Sequence, residues 1–100
     1  MKTEEILNSL KNVIDPEIGI NIVDLGLIYN VEIKENEISI DLTMTSRGCP
    51  MHQHICDEIV KALKKEHTNI VNVETNLVWE PEWSPEKMSA DARKKLGWGS

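Results

Sequence analysis

The chain has no phenylalanine, one tyrosine and only two cysteines in 100 residues, and its three tryptophans, Trp79, Trp83 and Trp98, all stand in the last 22 positions. Aliphatic side chains must therefore build the core through the first three quarters of the chain. Two cysteines exclude a disulfide-stapled scaffold, and in a reducing compartment they act as free thiols, ligands or nucleophiles. Nowhere is there an uncharged run of about 18 residues that could span a bilayer. The opening "MKTEEILNSL" also lacks the apolar stretch of a signal peptide, so a cytoplasmic protein without membrane attachment is expected. Bases are short as well, 11 against 17 acids, and a formal charge of -6 opposes attraction to a phosphate backbone. Nucleic acid is not an expected partner. GxGxxG, Walker-type, GxSxG and HExxH motifs are missing, which leaves nucleotide, hydrolase and zinc-protease chemistry without support.

What is present reads as one α+β domain over residues 1–100, since this length and a 40% hydrophobic content suit a single modest core. In "TEEILNSLKNVID" the residues Ile6, Leu7, Leu10, Val13 and Ile14 form one helical stripe, with Thr3 as cap and Pro16 as terminator. "DPEIG" is then an irregular segment carrying Asp15 and Glu17. Asp24 precedes Gly26 in a turn, and "LIYNVEI" alternates at period two as a first strand. "ISIDLTMT" alternates again, placing Ile38, Ile40, Leu42 and Met44 on a core face and Ser39, Asp41, Thr43 and Thr45 on a solvent face. Pro50 suits a first helical position, so a second amphipathic helix is expected from Pro50 to Glu66. "IVNVETNLVWE" follows as a strand parallel to the second, because a strand, helix, strand run closes by a crossover. Pro81 and Pro85 interrupt the chain before a short helix capped by Ser89 and closed by Gly97. The expected order is α-β-β-α-β-α, a small mixed three-stranded sheet packed by helices.

The segment "TSRGCPMHQHIC" concentrates both cysteines and two of the three histidines. Cys49 falls between a strand end and a helix start, where unpaired N–H groups and the helix dipole favour a thiolate, the form that binds metal or attacks electrophiles. Simple capping of the helix is the plainer account of the same residue. Steps of about 100° per residue bring Cys49, His52 and Cys56 toward one face and turn His54 away. That makes half of a four-ligand metal site, and packing of Cys56 in the core with His52 at a helix start explains the pair better. His67, at the far end of the same helix, suits the negative pole of the dipole. Asp15, Glu17 and Asp24 are either hard ligands or acceptors for local backbone N–H groups. The hydroxyls of Thr43 and Thr45 have the chemistry to hydrogen-bond a thiolate or sulfide, or are ordinary β-formers.

Three pieces in this order, "DPEIGINIVDLGLIYNVEI", "LTMTSRGCP" and "WEPEWSPEKMSADARKKLG", resemble the iron–sulfur cluster assembly domain family that includes SufT-like and PaaD-like proteins and the eukaryotic cytosolic targeting factor. The resemblance spans nearly the whole chain. It implies an α+β fold and a non-catalytic role in maturing or delivering iron–sulfur clusters, with Cys49 as the ligand for iron or a transiently held cluster. It also implies that Asp15, Glu17, Asp24, Thr43 and Thr45 converge around that cysteine. His52 and Cys56 stand outside the family's pattern and remain candidate ligands on this sequence alone. Expected partners are the assembly machinery and apo client proteins, with a second copy of the chain as one way to complete the ligand set. A metal-independent adaptor working through the tail tryptophans is the alternative, and a thiol enzyme using Cys49 and His52 is a third reading without a substrate signature.

Overall fold

The structure, a computed structural model, describes residues 2–45 and 52–97, and statements of absence below refer to these. The elements run α1 (Thr3–Leu10), β1 (Ile14–Asp15), β2 (Ile20–Asn21), β3 (Ile28–Lys34), β4 (Glu37–Leu42), α2 (His52–Glu66), β5 (Asn72–Leu77) and α3 (Ala90–Leu96), with a 3-10 turn at Pro85–Lys87 before α3. β3 pairs antiparallel with β4, and β4 pairs parallel with β5, giving the mixed three-stranded sheet in the order β3-β4-β5. The α+β class and the parallel crossover through α2 are those read from the sequence.

Alternation decides which sheet face is buried. Val31, Ile40 and Thr75 lie side by side across the three strands, as do Ile33, Ile38 and Val73, and this face meets the helices. The opposite face carries Glu32, Ser39 and Glu74 in one row and Asn30, Asp41 and Asn76 in the next. It is tied by Asn76 Nδ2, which donates to both Ser39 Oγ and Asp41 Oδ1 at 3.1 Å. Ile55, Cys56, Ile59 and Leu63 are the buried stripe of α2, and Ile6 and Leu10 that of α1. With no Phe available, Ile and Leu supply most of this core.

Three expectations are corrected. α1 ends at Leu10, not at Pro16, and Thr3 is its first helical residue rather than a cap. The reason lies in the β-branched pair Val13–Ile14: Ile22 N donates to Val13 O at 2.9 Å, and Ile14 and Asp15 pair with Asn21 and Ile20 in a two-stranded ribbon. Ile14 consequently lies 51% exposed instead of completing the helical stripe. Asp15, the first residue of the segment 15–19 read as irregular, is thus strand, paired with Ile20. Finally, β4 stops at Leu42, so the alternation fails beyond it and Leu42, Thr43 and Met44 are all buried in succession. Thr43 therefore has no solvent face to occupy.

Candidate functional site

Residues 21–27 connect β2 to β3 and define one wall of the candidate site. Asn21 and Asp24 close the turn on each other: Asp24 N donates to Asn21 Oδ1 at 2.9 Å, and Asn21 Nδ2 donates to Asp24 Oδ2 at 2.7 Å. Leu25 N to Asn21 O and Gly26 N to Val23 O, both 3.0 Å, complete a helix-like turn. Gly26 leaves it at φ 78°, a conformation that costs a non-glycine residue roughly 1–2 kcal/mol. Its Cα hydrogens face the backbone of Lys87, whose carbonyl carbon would lie 2.7 Å from an added Cβ. Leu27, fully buried, then turns the chain into β3.

Two of the three candidate acidic residues are occupied locally. Asp15 is only 2% exposed, and its Oδ1 accepts from Glu17 N at 2.9 Å, which uses the carboxylate to shape the turn between β1 and β2. Glu17 itself is exposed. Asp24 is engaged with Asn21 as described. Asp15 therefore follows the backbone-bonding alternative and the Asp24 carboxylate accepts from the Asn21 side chain instead, while among the described residues no three His, Cys, Asp or Glu side chains are grouped as metal ligands.

Thr43 stands apart. Its N–H donates to Leu27 O at 2.8 Å, which joins the end of β4 to the turn wall, and Val78 N donates to Leu42 O at 2.8 Å from the other side. Its side chain is wholly buried and its hydroxyl has no hydrogen-bond partner. Leaving a buried hydroxyl unpaired costs about 1–3 kcal/mol, so the position is chemically expensive unless something accepts that proton. Thr45, two residues on, is half-buried. Cys49, with Arg47 and Pro50, lies outside the described residues.

On α2, His52 is partly exposed in the first turn, His54 is exposed, and Cys56 is a free thiol 8% exposed within the core cluster. Burial among Ile and Leu makes Cys56 a packing residue, and His54 faces outward as its position on the wheel requires. His67 follows the end of α2, where its Nε2 lies 2.9 Å from Ser9 Oγ. Sequence reasoning missed two partners in this neighbourhood. Asn21 was not noticed, although Asn three residues before Asp is suited to a capped turn, and Ser9 was hidden in the α1 stripe because its partner Glu66 is 57 residues away.

The tail closes over the same wall. Trp83 Nε1 donates to Leu25 O at 2.7 Å, Ser89 N to Asp24 O at 2.7 Å, and the Tyr29 hydroxyl to Pro81 O at 2.6 Å. Lys87 Nζ sits 5.2 Å from the centre of the Tyr29 ring, and burial pushes that phenol above its ordinary pKa of 10.0. Trp79 and Trp83 are half-buried against the core. Trp98 lies outside the described residues.

A three-stranded mixed sheet crossed by one helix, with an orphaned hydroxyl just beyond its middle strand, defines a small α+β domain. The chain belongs to the iron–sulfur cluster assembly protein family, whose sequence pattern matches residues 3–75. It is 42% identical over 95 residues to the Fe-S protein maturation auxiliary factor YitW of Bacillus subtilis, covering 94% of this chain and 92% of that protein. It is also 45% identical over 86 residues to the Fe-S protein maturation auxiliary factor SufT of Staphylococcus aureus, covering 85% and 97% respectively. Among solved structures, a domain of unknown function from Bacillus anthracis superposes with a TM-score of 0.92 at 43% identity, covering 94% of this chain and 90% of that one.

Proposed function

We propose that this protein is an accessory factor in iron–sulfur cluster maturation that holds iron or a cluster transiently as cargo, with the Cys49 thiolate as its ligand. The observation that carries this reading is the similarity along nearly the whole chain to proteins named Fe-S protein maturation auxiliary factors. The chemistry of Thr43 supports it. A buried hydroxyl with no acceptor fits a thiolate or bridging sulfide, both of which accept hydrogen bonds and are stabilised by them. Four residues after Thr45 the chain reaches Cys49, close enough in sequence for the strand end and the thiolate to share one site.

One cysteine cannot hold a cluster alone. The remaining ligands come from a client protein, from the assembly machinery or from a second copy of the chain, and weak holding is what a carrier needs. Asp24 shapes the wall and Asp15 the turn between β1 and β2, Glu17 stands exposed, and Thr45 adds a second hydroxyl near the strand end. His52 is the one further candidate ligand with partial exposure. The protein acts in the cytoplasm, without catalysing turnover of a metabolite.

Anaerobic reconstitution with iron and sulfide, read by absorption, tests the proposal on wild type, Cys49→Ala and Cys56→Ala. Loss of the sulfur-to-iron bands in Cys49→Ala with retention in Cys56→Ala is expected. Unchanged bands in Cys49→Ala would overturn the assignment of the ligand.

A further inference from the structure

Four consecutive residues of the turn before β3 are each fixed from outside it. The Asp24 carbonyl accepts from Ser89 N at 2.7 Å, and the Leu25 carbonyl from Trp83 Nε1 at 2.7 Å. Gly26 presses on the Lys87 backbone with no room for a Cβ, and the Leu27 carbonyl accepts from Thr43 N at 2.8 Å. The first three contacts come from residues 83–89, beyond the part of the chain that the family pattern covers. The fourth leads to the one buried hydroxyl on β4's extension that has no partner. Planar peptide units transmit orientation along so short a path, since a carbonyl cannot turn without its neighbour's N–H turning too.

We infer that the C-terminal segment, through Trp83 and the Ser89 N–H, is a strap that positions the Asp24–Leu27 turn and thereby the hydroxyl of Thr43. Trp83 and Ser89 are positioning residues: neither touches the cargo, and both act through the turn. Connecting segments open locally at lower free energy than strands and helices, so a turn that holds a site gains from external ties. The strap contacts stand on their own geometry, while their bearing on cargo rests on the function proposed above. The arrangement also accounts for Trp83, which spends its indole N–H inward on Leu25 instead of offering it to a partner.

The test uses the full chain in two variants. Trp83→Phe keeps an aromatic ring and removes the N–H. Ser89→Pro removes the backbone donor at a residue whose φ of -65° proline already matches, and Ser89→Ala, which retains the N–H, is its control for loss of the α3 cap. Amide hydrogen exchange without metal is the first readout, with Ile59 and Leu63 on α2 reporting global opening. Exchange at Thr43 is expected to rise about fivefold relative to Ile59 and Leu63 in Trp83→Phe and in Ser89→Pro against Ser89→Ala, the effect of losing one hydrogen bond. If Thr43 exchange changes only in step with Ile59 and Leu63, the segment is merely structural and the inference falls.

Iron(II) binding followed by thiolate-to-iron absorption is the second readout. Trp83→Phe is expected to weaken binding about fivefold in the wild-type background and to have no effect in a Thr43→Val background, because the two act on one path. Equal weakening in both backgrounds would overturn the action through Thr43. If wild type binds no iron while Thr43 exchange still responds, the cargo reading fails and the strap stands. Should Trp83→Phe fail to fold, the Ser89 pair decides both readouts.

Discussion

Ser9 Oγ lies 2.6 Å from Glu66 Oε2, a hydrogen bond that ties α1 to the end of α2 across 57 residues of chain. The hydroxyl also faces Glu5 O at 3.1 Å and His67 Nε2 at 2.9 Å, yet it has one proton. A carboxylate accepts more strongly than a peptide carbonyl, so the proton goes to Glu66 and His67 must donate its Nε2–H to Ser9. Ser9 is 1% exposed, and Asn12 Nδ2 adds a bond to Glu66 Oε1 at 2.8 Å, so this junction is ordered on both sides.

Ser9→Ala is therefore expected to destabilise the protein by about 1 kcal/mol, the loss of a charge-assisted bond partly offset by alanine's better helix propensity. Chemical denaturation measures it, and nitrogen NMR of His67 in wild type should report the Nε2-protonated tautomer. A neutral Nδ1 tautomer would contradict the bonding pattern.

Thr43 separates stability from function. Replacing it by the near-isosteric valine removes an unpaired buried hydroxyl and is expected to stabilise the metal-free chain by about 1 kcal/mol, raising Tm by about 4–8 °C. On the proposed function the same change should weaken iron or cluster binding, because a hydroxyl able to donate to sulfur is removed. A variant that melts higher yet binds as well as wild type would remove Thr43 from the site.

The sequence made the sheet and the long helix legible because their periodicities are long and regular: Ile38, Ile40 and Leu42 alternate, and Ile55, Ile59 and Leu63 recur at helical spacing. The caps of α3 were readable too, with Ser89 Oγ accepting from Ala92 N at 3.1 Å and Gly97 at φ 74°. What failed was short or non-local. Val13 and Ile14 continue a helical stripe perfectly well, and only the pairing of residues 14–15 with 20–21 removes them from it. Thr43 continues the strand's alternation on paper, but β4 ends at Leu42, and Thr43 N turns to Leu27 O with the side chain buried. Asp15 fits the local alternative of bonding turn backbone, and Asp24 bonds the Asn21 side chain within its own turn, a choice that the sequence could offer but not make. Cys49, the centre of the sequence argument, lies outside the described residues, so its role rests on chemistry and kinship.

Gly26 and Gly19 share a backbone conformation, φ 78° and 80°, but not a setting. Nothing lies within 4 Å of a Cβ placed on Gly19, whereas one on Gly26 would meet the Lys87 backbone. Gly19→Ala is expected to cost roughly 1–2 kcal/mol, the strain of the left-handed conformation alone. Gly26→Ala should cost clearly more, at least about 3 kcal/mol, since tail and turn must separate as well. Paired denaturation curves give the difference directly, and equal losses would mean that the tail does not press on the turn.

Tyr29 gives the fold an alkaline limit. Burial raises its pKa in the folded state above the ordinary 10.0, so the folded chain holds the phenol proton more tightly than the unfolded chain. Below pH 10 both states keep the proton and this contribution is fully present; as pH rises past 10 the unfolded state ionises first, and stability falls until the folded phenol has titrated too. Ionisation would also remove the O–H that donates to Pro81 O at 2.6 Å, loosening the tail beside Lys87. Tyr29→Phe should be less stable than wild type at pH 8, having lost that bond, and its stability should decline less steeply between pH 9.5 and 11. Urea denaturation at stepped pH measures both effects, and parallel curves for the two proteins would show that Tyr29 is not the titrating group.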